Sequence, residues 1–244
     1  LVGGLLNGTI LLNLDTEDDD ELTIGCAGGI DVTCTGEYLQ EKPKGDLSLK
    51  ISIKGLTGGH SGVDIQKGRA NANKLMNRLL WELSKDFSIE IATIDGGSLR
   101  NAIPRESVAE IVLDKKKHNE LKEAVTKFEK TIKAEHSFTD ASLEVKLENT
   151  VAVRNVMNAD FQYKFLRSMY ACPNGIYRMT PEIEGLVQTS NNIAKVLVKE
   201  GKLSVQCLTR SSVDTEKTDL ANAITSAFEL IGASIEFGGN YPGW

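Results

Sequence analysis

The strictest alternation of apolar and polar residues runs from Asp46 to Lys54. Successive side chains of a strand point to opposite faces, so this stretch predicts a half-buried strand. Apolar residues then recur at helical spacing from Arg69 to Leu83, which predicts an amphipathic helix beginning near Gly68. The pattern continues with strands at 89–94 and 108–113, a helix at 121–132 and a strand at 143–147. This order of elements is typical of the split-βαβ, ferredoxin-like unit.

The second half of the chain partly repeats that order. Its pattern predicts a helix at 161–169, strands at 186–198 and 203–208, a helix at 220–231 and a strand at 234–237. A hairpin turn at Glu200-Gly201-Lys202 joins the two middle strands. We therefore predict an α/β (α+β) fold, a two-layer sandwich whose long, mainly antiparallel sheet carries its helices on one face. The partial repeat allows a doubled ferredoxin-like unit.

The start of the chain differs in character from the rest. It begins without an initiator Met, which suggests a fragment or a processed product. A nearly continuous apolar run from Thr9 to Leu14 predicts a strand buried on both faces, and an acidic turn follows it. Residues 30–39 alternate again, and the polar stretch from Glu41 to Gly45 is the best candidate linker. We place a domain boundary near residue 40.

Composition and charge narrow the function. The 244 residues are 41% hydrophobic and 25% charged, as in an ordinary globular protein with a buried core. A net charge of -6 without an offsetting Lys/Arg cluster argues against nucleic-acid binding. No apolar stretch is long enough to predict a membrane span. Four scattered cysteines without CxxC spacing favour reduced thiols in a cytoplasmic protein over a zinc or disulfide framework.

The glycine-rich loop from Gly58 to Gly62 is the first candidate site. It follows the clearest predicted strand and holds His60 beside Ser61. Glycine at this density allows positive φ and a close approach of a ligand to the backbone amides. The alternative, a flexible turn with an exposed histidine, fits these residues equally well.

Three further polar residues lie at predicted strand ends or in adjoining loops. Asp15 ends the buried N-terminal strand, where α/β enzymes place ligands and where a carboxylate can hold a metal. Asn101 lies in a loop between two strands. Arg210 ends a strand, where a guanidinium can pair bidentately with a carboxylate or an oxyanion. Each also has an ordinary alternative: a turn residue for Asp15 and Asn101, and a surface side chain for Arg210.

Five motifs stand in the same order as in a known family. They are Leu14-Asp15-Thr16-Glu17, Gly25-Cys26-Ala27-Gly28-Gly29, Gly58-Gly59-His60-Ser61-Gly62, Leu99-Arg100-Asn101-Ala102-Ile103-Pro104-Arg105-Glu106 and Tyr241-Pro242-Gly243-Trp244. On these residues the chain resembles the aminoacyl-histidine dipeptidases, the Xaa-His dipeptidase or bacterial carnosinase branch of the M20 metallopeptidases. The resemblance covers essentially the whole chain. It implies a catalytic domain with two zinc ions and an inserted lid that closes over a carnosine-like dipeptide.

The resemblance implies a role for each candidate residue. Asp15 matches a carboxylate that ligates one zinc ion. His60 matches the lid histidine that stabilises the tetrahedral oxyanion. Asn101 and Arg210 match lid residues that hold the substrate through its C-terminal carboxylate. Neutral donors and one fixed cation aimed at developing negative charge suit amide hydrolysis.

The same resemblance divides the chain into 1–40, a remnant of the zinc domain, 41–238, the lid or dimerisation domain, and 239–244, the start of a return. The zinc site of the family also needs His-x-Asp and Glu-Glu segments, and this chain contains neither. One carboxylate cannot build a two-zinc site, so we expect the chain alone to bind no zinc and to be inactive. The expected partners are a small dipeptide, the missing catalytic domain and a second copy in a homodimer. The alternative is a non-catalytic dimerisation or ligand-binding module.

Overall fold

The computed structural model describes residues 8–10 and 25–244. Within these residues the α-helices are α1 (Ala72–Asp86), α2 (His118–Glu135), α3 (Ala159–Ala171) and α4 (Asp214–Glu229), with 3-10 turns at Ile65–Lys67 and Lys115–Lys117. The strands are β1 (Gly28–Glu37), β2 (Gln40–Glu41), β3 (Leu47–Lys54), β4 (Gly59–His60), β5 (Glu90–Gly97), β6 (Ala102–Ile103), β7 (Ser107–Leu113), β8 (Glu144–Asn149), β9 (Val156–Met157), β10 (Gly175–Met179), β11 (Val187–Lys199), β12 (Lys202–Ser211) and β13 (Ser234–Tyr241).

One long sheet dominates the described part of the chain. Its strands lie in the order β13-β1-β12-β11-β5-β7-β3-β8, with β10 paired alongside β11, and the neighbours are antiparallel. The helices lie side by side, α1 against α2 and α3, and α3 against α4. They cover the face that carries Ile51, Ile111 and Val205, each fully buried. The predicted two-layer α/β sandwich is confirmed.

The sheet is a doubled ferredoxin-like unit. We call β3, α1, β5, β7, α2 and β8 the inserted unit, and β1, α3, β11, β12, α4 and β13 the outer unit. In both units the first strand lies between the last and the third, and the second strand lies beyond the third. The repeat predicted from the sequence is therefore present. In the outer unit the first strand, β1, lies far upstream in the sequence of all its other elements.

The inserted unit interrupts the outer unit between β1 and α3. The chain leaves at β2 and returns at β9, and these two strands pair, with Gln40 opposite Met157. Residue 40 is thus the point where the insertion begins. A domain boundary there stays a prediction, and β1, which precedes it, lies between β12 and β13 of the outer unit. The predicted strand from Thr9 to Leu14 falls largely outside the described residues.

Local signals explain the ends of these elements. The predicted helix start near Gly68 lies four residues before the observed one, because Gly68 adopts a left-handed φ of 66° and ends a 3-10 turn. Helix α1 instead begins at Ala72, after Asn71, whose side chain accepts two backbone N–H groups of the first turn. The predicted β11–β12 hairpin is present, with Glu200 and Gly201 at φ of 54° and 77°. Strand β10 was not predicted.

The two units meet where β5 pairs with β11 and where α1 lies against α3. We call this contact the seam. Lys74 of α1 donates Nζ to the carbonyl oxygens of Met169, Tyr170 and Cys172 at 3.0, 3.0 and 3.1 Å. Asn77 donates to the carbonyl oxygen of Leu166 at 3.0 Å. The seam therefore contains hydrogen bonds to backbone as well as apolar packing.

Candidate functional site

A short ribbon presents His60. Strand β4 pairs with β6, so that Gly59 is opposite Ile103 and His60 is opposite Ala102. Gly58 and Gly59 have φ of 64° and 141°, values that L side chains rarely adopt. The glycines are thus required by the backbone path that brings His60 out of the end of β3.

Asp64 holds the His60 loop in this path. Its Oδ2 accepts the backbone N–H of His60 at 2.8 Å and lies 3.4 Å from Arg69 Nη1. Arg69 also donates to the carbonyl oxygen of Gly58 at 2.6 Å. A hydrogen bond from Lys67, together with that from the His60 N–H, lowers the pKa of Asp64 below its ordinary value. The Asp64 carboxylate therefore stays charged to lower pH than an ordinary Asp, and these contacts connect it to the His60 loop.

The imidazole of His60 has a defined tautomer. Its Nδ1 accepts the backbone N–H groups of Gly62 and Val63, both at 3.3 Å. In the neutral ring one nitrogen accepts and the other carries the hydrogen, so the hydrogen belongs to Nε2. His60 is half-buried. The loop thus offers one imidazole N–H donor from a ring whose other nitrogen is already engaged.

Asn101 is attached to the same loop through its backbone. Its carbonyl oxygen accepts the N–H of Ser61 at 2.8 Å. The Asn101 side chain is exposed, whereas Ser61 is buried. A fixed backbone with an exposed amide side chain is the arrangement expected of a residue that contacts a ligand.

Arg210 reaches this region from β12 in the outer unit. Its backbone lies between Gly29 on β1 and Ser190 on β11. Its Nη1 donates to the hydroxyl oxygen of Tyr241 at 3.0 Å. Its Nε is buried and has no hydrogen-bond partner among the described residues. An anion placed at Nε would satisfy that donor, because guanidinium nitrogens donate and never accept.

Gly62 is the point where His60 and Arg210 converge. A Cβ atom at Gly62 would lie 3.0 Å from His60 Cε1 and 3.4 Å from Arg210 Nε. The imidazole of the inserted unit and the guanidinium of the outer unit therefore flank this glycine within one chain. Since Asn101 is bonded to the same loop, three of the four sequence-predicted residues share one site.

The fourth, Asp15, lies outside the described residues. Across residues 8–10 and 25–244, no group of three or more His, Cys, Asp or Glu side chains could hold a metal ion. This part of the chain therefore does not by itself fit a metal centre. In the same residues no helix is both long enough and apolar enough to cross a membrane.

Three comparisons with known proteins agree with this architecture. Residues 51–140 match the model of the M20 peptidase dimerisation domain. The chain is 36% identical to the cytosol non-specific dipeptidase of Escherichia coli (strain K12) over 245 residues, covering 100% of this chain and 50% of that protein. It also matches the crystal structure of aminoacylhistidine dipeptidase from Vibrio alginolyticus, with a TM-score of 0.91 and 39% identity, covering 99% of this chain and 49% of that one.

Residues 51–140 are therefore similar to an M20 dimerisation domain. The resemblance drawn from the sequence motifs is thereby confirmed. The chain spans about half the length of the two relatives it matches. The matched residues of the M20 domain begin within β3 and include His60 and Asn101, whereas Arg210 lies in the outer unit, beyond the match. The roles of the site residues stay predictions.

Sequence reasoning missed the residues that support this site. Tyr241 bonds Arg210, and its only sequence signal was its place in the last motif. Asn192 lies next to Asn191 in the polar first half of β11, where every residue from Gln188 to Asn192 is buried. Asn71 was visible only as a possible helix cap. Such partners are hard to predict, because the groups to which they are hydrogen-bonded lie far away in the sequence.

Proposed function

We propose that this chain is the substrate lid of a metal-dependent dipeptidase, and that its site binds a dipeptide between the two units. Both relatives are named dipeptidases, which supports hydrolysis of a small peptide by the whole protein. The observation that carries the proposal is the convergence of His60 and Arg210 at Gly62, with Asn101 bonded to the same loop. The name of the Vibrio alginolyticus relative supports an Xaa-His dipeptide as the substrate class.

His60 stabilises the oxyanion in this proposal. As water adds to the scissile carbonyl, negative charge develops on its oxygen, and the Nε2–H of His60 donates to that oxygen. A donor fixed before the reaction needs no reorganisation when the charge appears. The engaged Nδ1 supports this role, because it leaves the hydrogen on Nε2.

Arg210 and Asn101 bind the substrate. The guanidinium of Arg210, of which Tyr241 engages Nη1, pairs with the C-terminal carboxylate. The Asn101 amide donates to the same end of the dipeptide. Both contacts are present before and during the reaction, so they contribute to affinity more than to the chemical step.

The metal chemistry belongs to residues outside the described part of the chain. Two zinc ions, which the family resemblance implies, would polarise the scissile carbonyl and activate the water. Asp15 would be one ligand, and the others would come from a catalytic half outside this sequence. We propose that the 244-residue chain alone neither binds zinc tightly nor hydrolyses carnosine, which elemental analysis and a carnosine assay with added Zn²⁺ would test.

A second candidate function is dimerisation, which the description of the matched family model favours. In the described residues the strand order ends at β13 and β8, and β10 pairs only with β11, so each of these three strands has an unpaired edge. An edge strand has unpaired backbone groups that can pair with a second copy. A homodimer is compatible with a lid, and sedimentation of the full-length protein would detect it. The name of the Escherichia coli relative supports a cytoplasmic location for both functions.

The test of the lid function is His60→Ala in the full-length protein. Loss of an oxyanion donor lowers kcat by roughly 10²–10³-fold. The zinc content should stay unchanged, because His60 is not a proposed ligand. His136→Ala is the matched control, since His136 follows the last residue of α2 and is not among the residues of the site. An unaltered kcat in His60→Ala, or an equal loss in His136→Ala, would remove His60 from the mechanism.

A further inference from the structure

One buried amide connects the two units beside the site. Asn192 lies on β11 in the outer unit and is 1% exposed. Its Nδ2 donates to the carbonyl oxygen of Arg100 at 3.2 Å and to that of Ala102 at 2.8 Å. Both acceptors belong to the inserted unit, and they flank Asn101 on either side.

Asn71 fixes which way this amide faces. Asn71 Nδ2 donates to Asn192 Oδ1 at 3.2 Å, so the nitrogen of Asn192 faces the loop. Asn71 is itself held, because its Oδ1 accepts the N–H groups of Asn73 and Lys74 at the start of α1. A flip of the Asn192 amide would place its nitrogen against the nitrogen of Asn71.

We propose that Asn192 is a positioning residue for substrate binding, whose buried amide clamps the loop on both sides of Asn101. Three successive carbonyl oxygens are engaged: those of Arg100 and Ala102 by Asn192, and that of Asn101 by the N–H of Ser61. Peptide planes held in this way cannot rotate freely, while the Asn101 side chain stays exposed. The proposal rests on the proposed function.

The clamp carries a consequence for affinity. Because the donor lies in the outer unit and the acceptors in the inserted unit, the packing at the seam sets where Asn101 lies. Without the clamp, the loop would have to be ordered when the substrate binds, and that entropy cost would weaken binding. A loss of binding that is equal in the ground state and the transition state raises KM and leaves kcat unchanged.

Asn192→Leu in the full-length protein tests the clamp. Leucine keeps most of the side-chain volume and removes both donors, while Asn71 retains the carbonyl oxygen of Ile193 as an acceptor. Asn191→Leu is the matched control. Asn191 is also 1% exposed, but it donates to Pro173 O and accepts from Thr209 Oγ1, outside the loop.

We expect Asn192→Leu to raise KM for an Xaa-His dipeptide roughly tenfold, with kcat changed less than about twofold. Asn191→Leu should leave KM unchanged even if it lowers the melting temperature by a similar amount. If the leucine variant does not fold, Asn192→Ala replaces it. An unchanged KM in the Asn192 variant, or an equal rise in the Asn191 variant, would overturn the proposal.

Hydrogen exchange of the peptide spanning residues 98–103 gives a readout that does not depend on activity. We expect exchange in this peptide to be about tenfold faster in the Asn192 variant and unchanged in the Asn191 variant. Exchange at the rate of an unstructured peptide in the wild-type protein would overturn the clamp without any variant. If the wild-type protein hydrolyses no dipeptide, the proposed function fails, and the exchange data still decide whether Asn192 holds the loop.

Discussion

The two units of the sheet share a strand order but bring residues to the site in different ways. The inserted unit supplies His60 and Asn101 from loops that leave the ends of β3 and β5. The outer unit supplies Arg210 from within β12, flanked by β1 and β11. A residue within a central strand is placed by the register of the ladder, whereas a loop residue needs its own hydrogen bonds.

Hydrogen bonds that fix the backbone are found around the two loop residues, His60 and Asn101. Asp64 and Arg69 fix the backbone around His60, and Asn192 fixes the backbone around Asn101. Arg210 needs only Tyr241 to direct its side chain. The site residues of the inserted unit are thus positioned by separate hydrogen bonds, whereas strand register positions Arg210 in the outer unit. Asn192 of the outer unit also positions the loop that carries Asn101.

After His60→Ala, Arg210→Ala should give the largest effect. If the guanidinium pairs with the substrate carboxylate, its removal raises KM by up to roughly 100-fold, because hydrogen bonds to charged groups are worth about 1.5–3 kcal/mol. The kcat should change little, in contrast to His60→Ala. Steady-state kinetics of the full-length protein measures both constants. Arg178→Ala is the control, since Arg178 lies on β10 and pairs with Glu216. A loss confined to kcat would contradict the binding role.

Lys74→Met should weaken the join between the units. Methionine keeps much of the volume, but the carbonyl oxygens of Met169, Tyr170 and Cys172 lose their shared donor. We expect the free energy of unfolding to fall by about 2 kcal/mol in a urea titration. Lys85→Met is the control on the same helix, because Lys85 is exposed and lies 4.7 Å from the ring centre of Trp81. Equal losses in both variants would show that the seam bonds contribute nothing specific.

Helix α1 at the seam shows which features of the fold the sequence pattern could predict and which it could not. The apolar stripe of α1 predicted the helix, and Met76, Leu79 and Leu80 are indeed buried. Asn73 and Asn77 fall at polar positions of the same pattern, yet they are 2% and 4% exposed. Their acceptors are the carbonyl oxygens of Ile193 and Leu166, far along the chain. Periodicity shows which side chains are apolar, but it does not show that a second helix covers a polar face.

The site shows the same limit. His60, Asn101 and Arg210 were each predicted, and their placement at strand ends or in adjoining loops of one sheet suggested a group, but the residues alone gave no reason to bring position 60 next to position 210. The register of β12 with β1 and β11 is what places Arg210 there. Strand β10 escaped prediction because most of its residues are exposed and its pairing with β11 is irregular. Long-range pairing has no local signal in the sequence.

Gly62→Ala tests the contact between the loop and the strand directly. No positive φ is needed at Gly62, so alanine fits the backbone, but its Cβ would lie 3.0 Å from His60 Cε1 and 3.4 Å from Arg210 Nε. We expect the displaced imidazole to lower kcat roughly tenfold, with the melting temperature nearly unchanged. Gly36→Ala, on β1, is the control. A Cβ there would lie 3.7–3.9 Å from Ala233 and Leu203, which is ordinary van der Waals contact. Full activity in Gly62→Ala would show that His60 and Arg210 do not depend on their spacing.

The smallest expected effect is on stability in acid. It can be measured by comparing two ion pairs, one in each half of the sheet. Arg78 pairs with Glu135 between α1 and α2, and Arg178 pairs with Glu216 between β10 and α4. The bond from Arg78 lowers the pKa of Glu135. Burial alone would raise the pKa of Glu216, but hydrogen bonds from Gln188 and Thr189 and the charge of Arg178 lower it overall.

A carboxyl whose pKa is lowered by folding stabilises the protein above its unfolded pKa of about 4.3, and that contribution is lost as the pH falls through the lower folded value. Glu135→Gln and Glu216→Gln should therefore each flatten the fall of the melting temperature below about pH 4.3. Each variant should also lower the melting temperature slightly at pH 7, because the same contribution is then absent, and the loss is small because both pairs are partly exposed. A wild-type slope in Glu216→Gln alone would mean that the inserted unit, and not the outer unit, limits stability in acid.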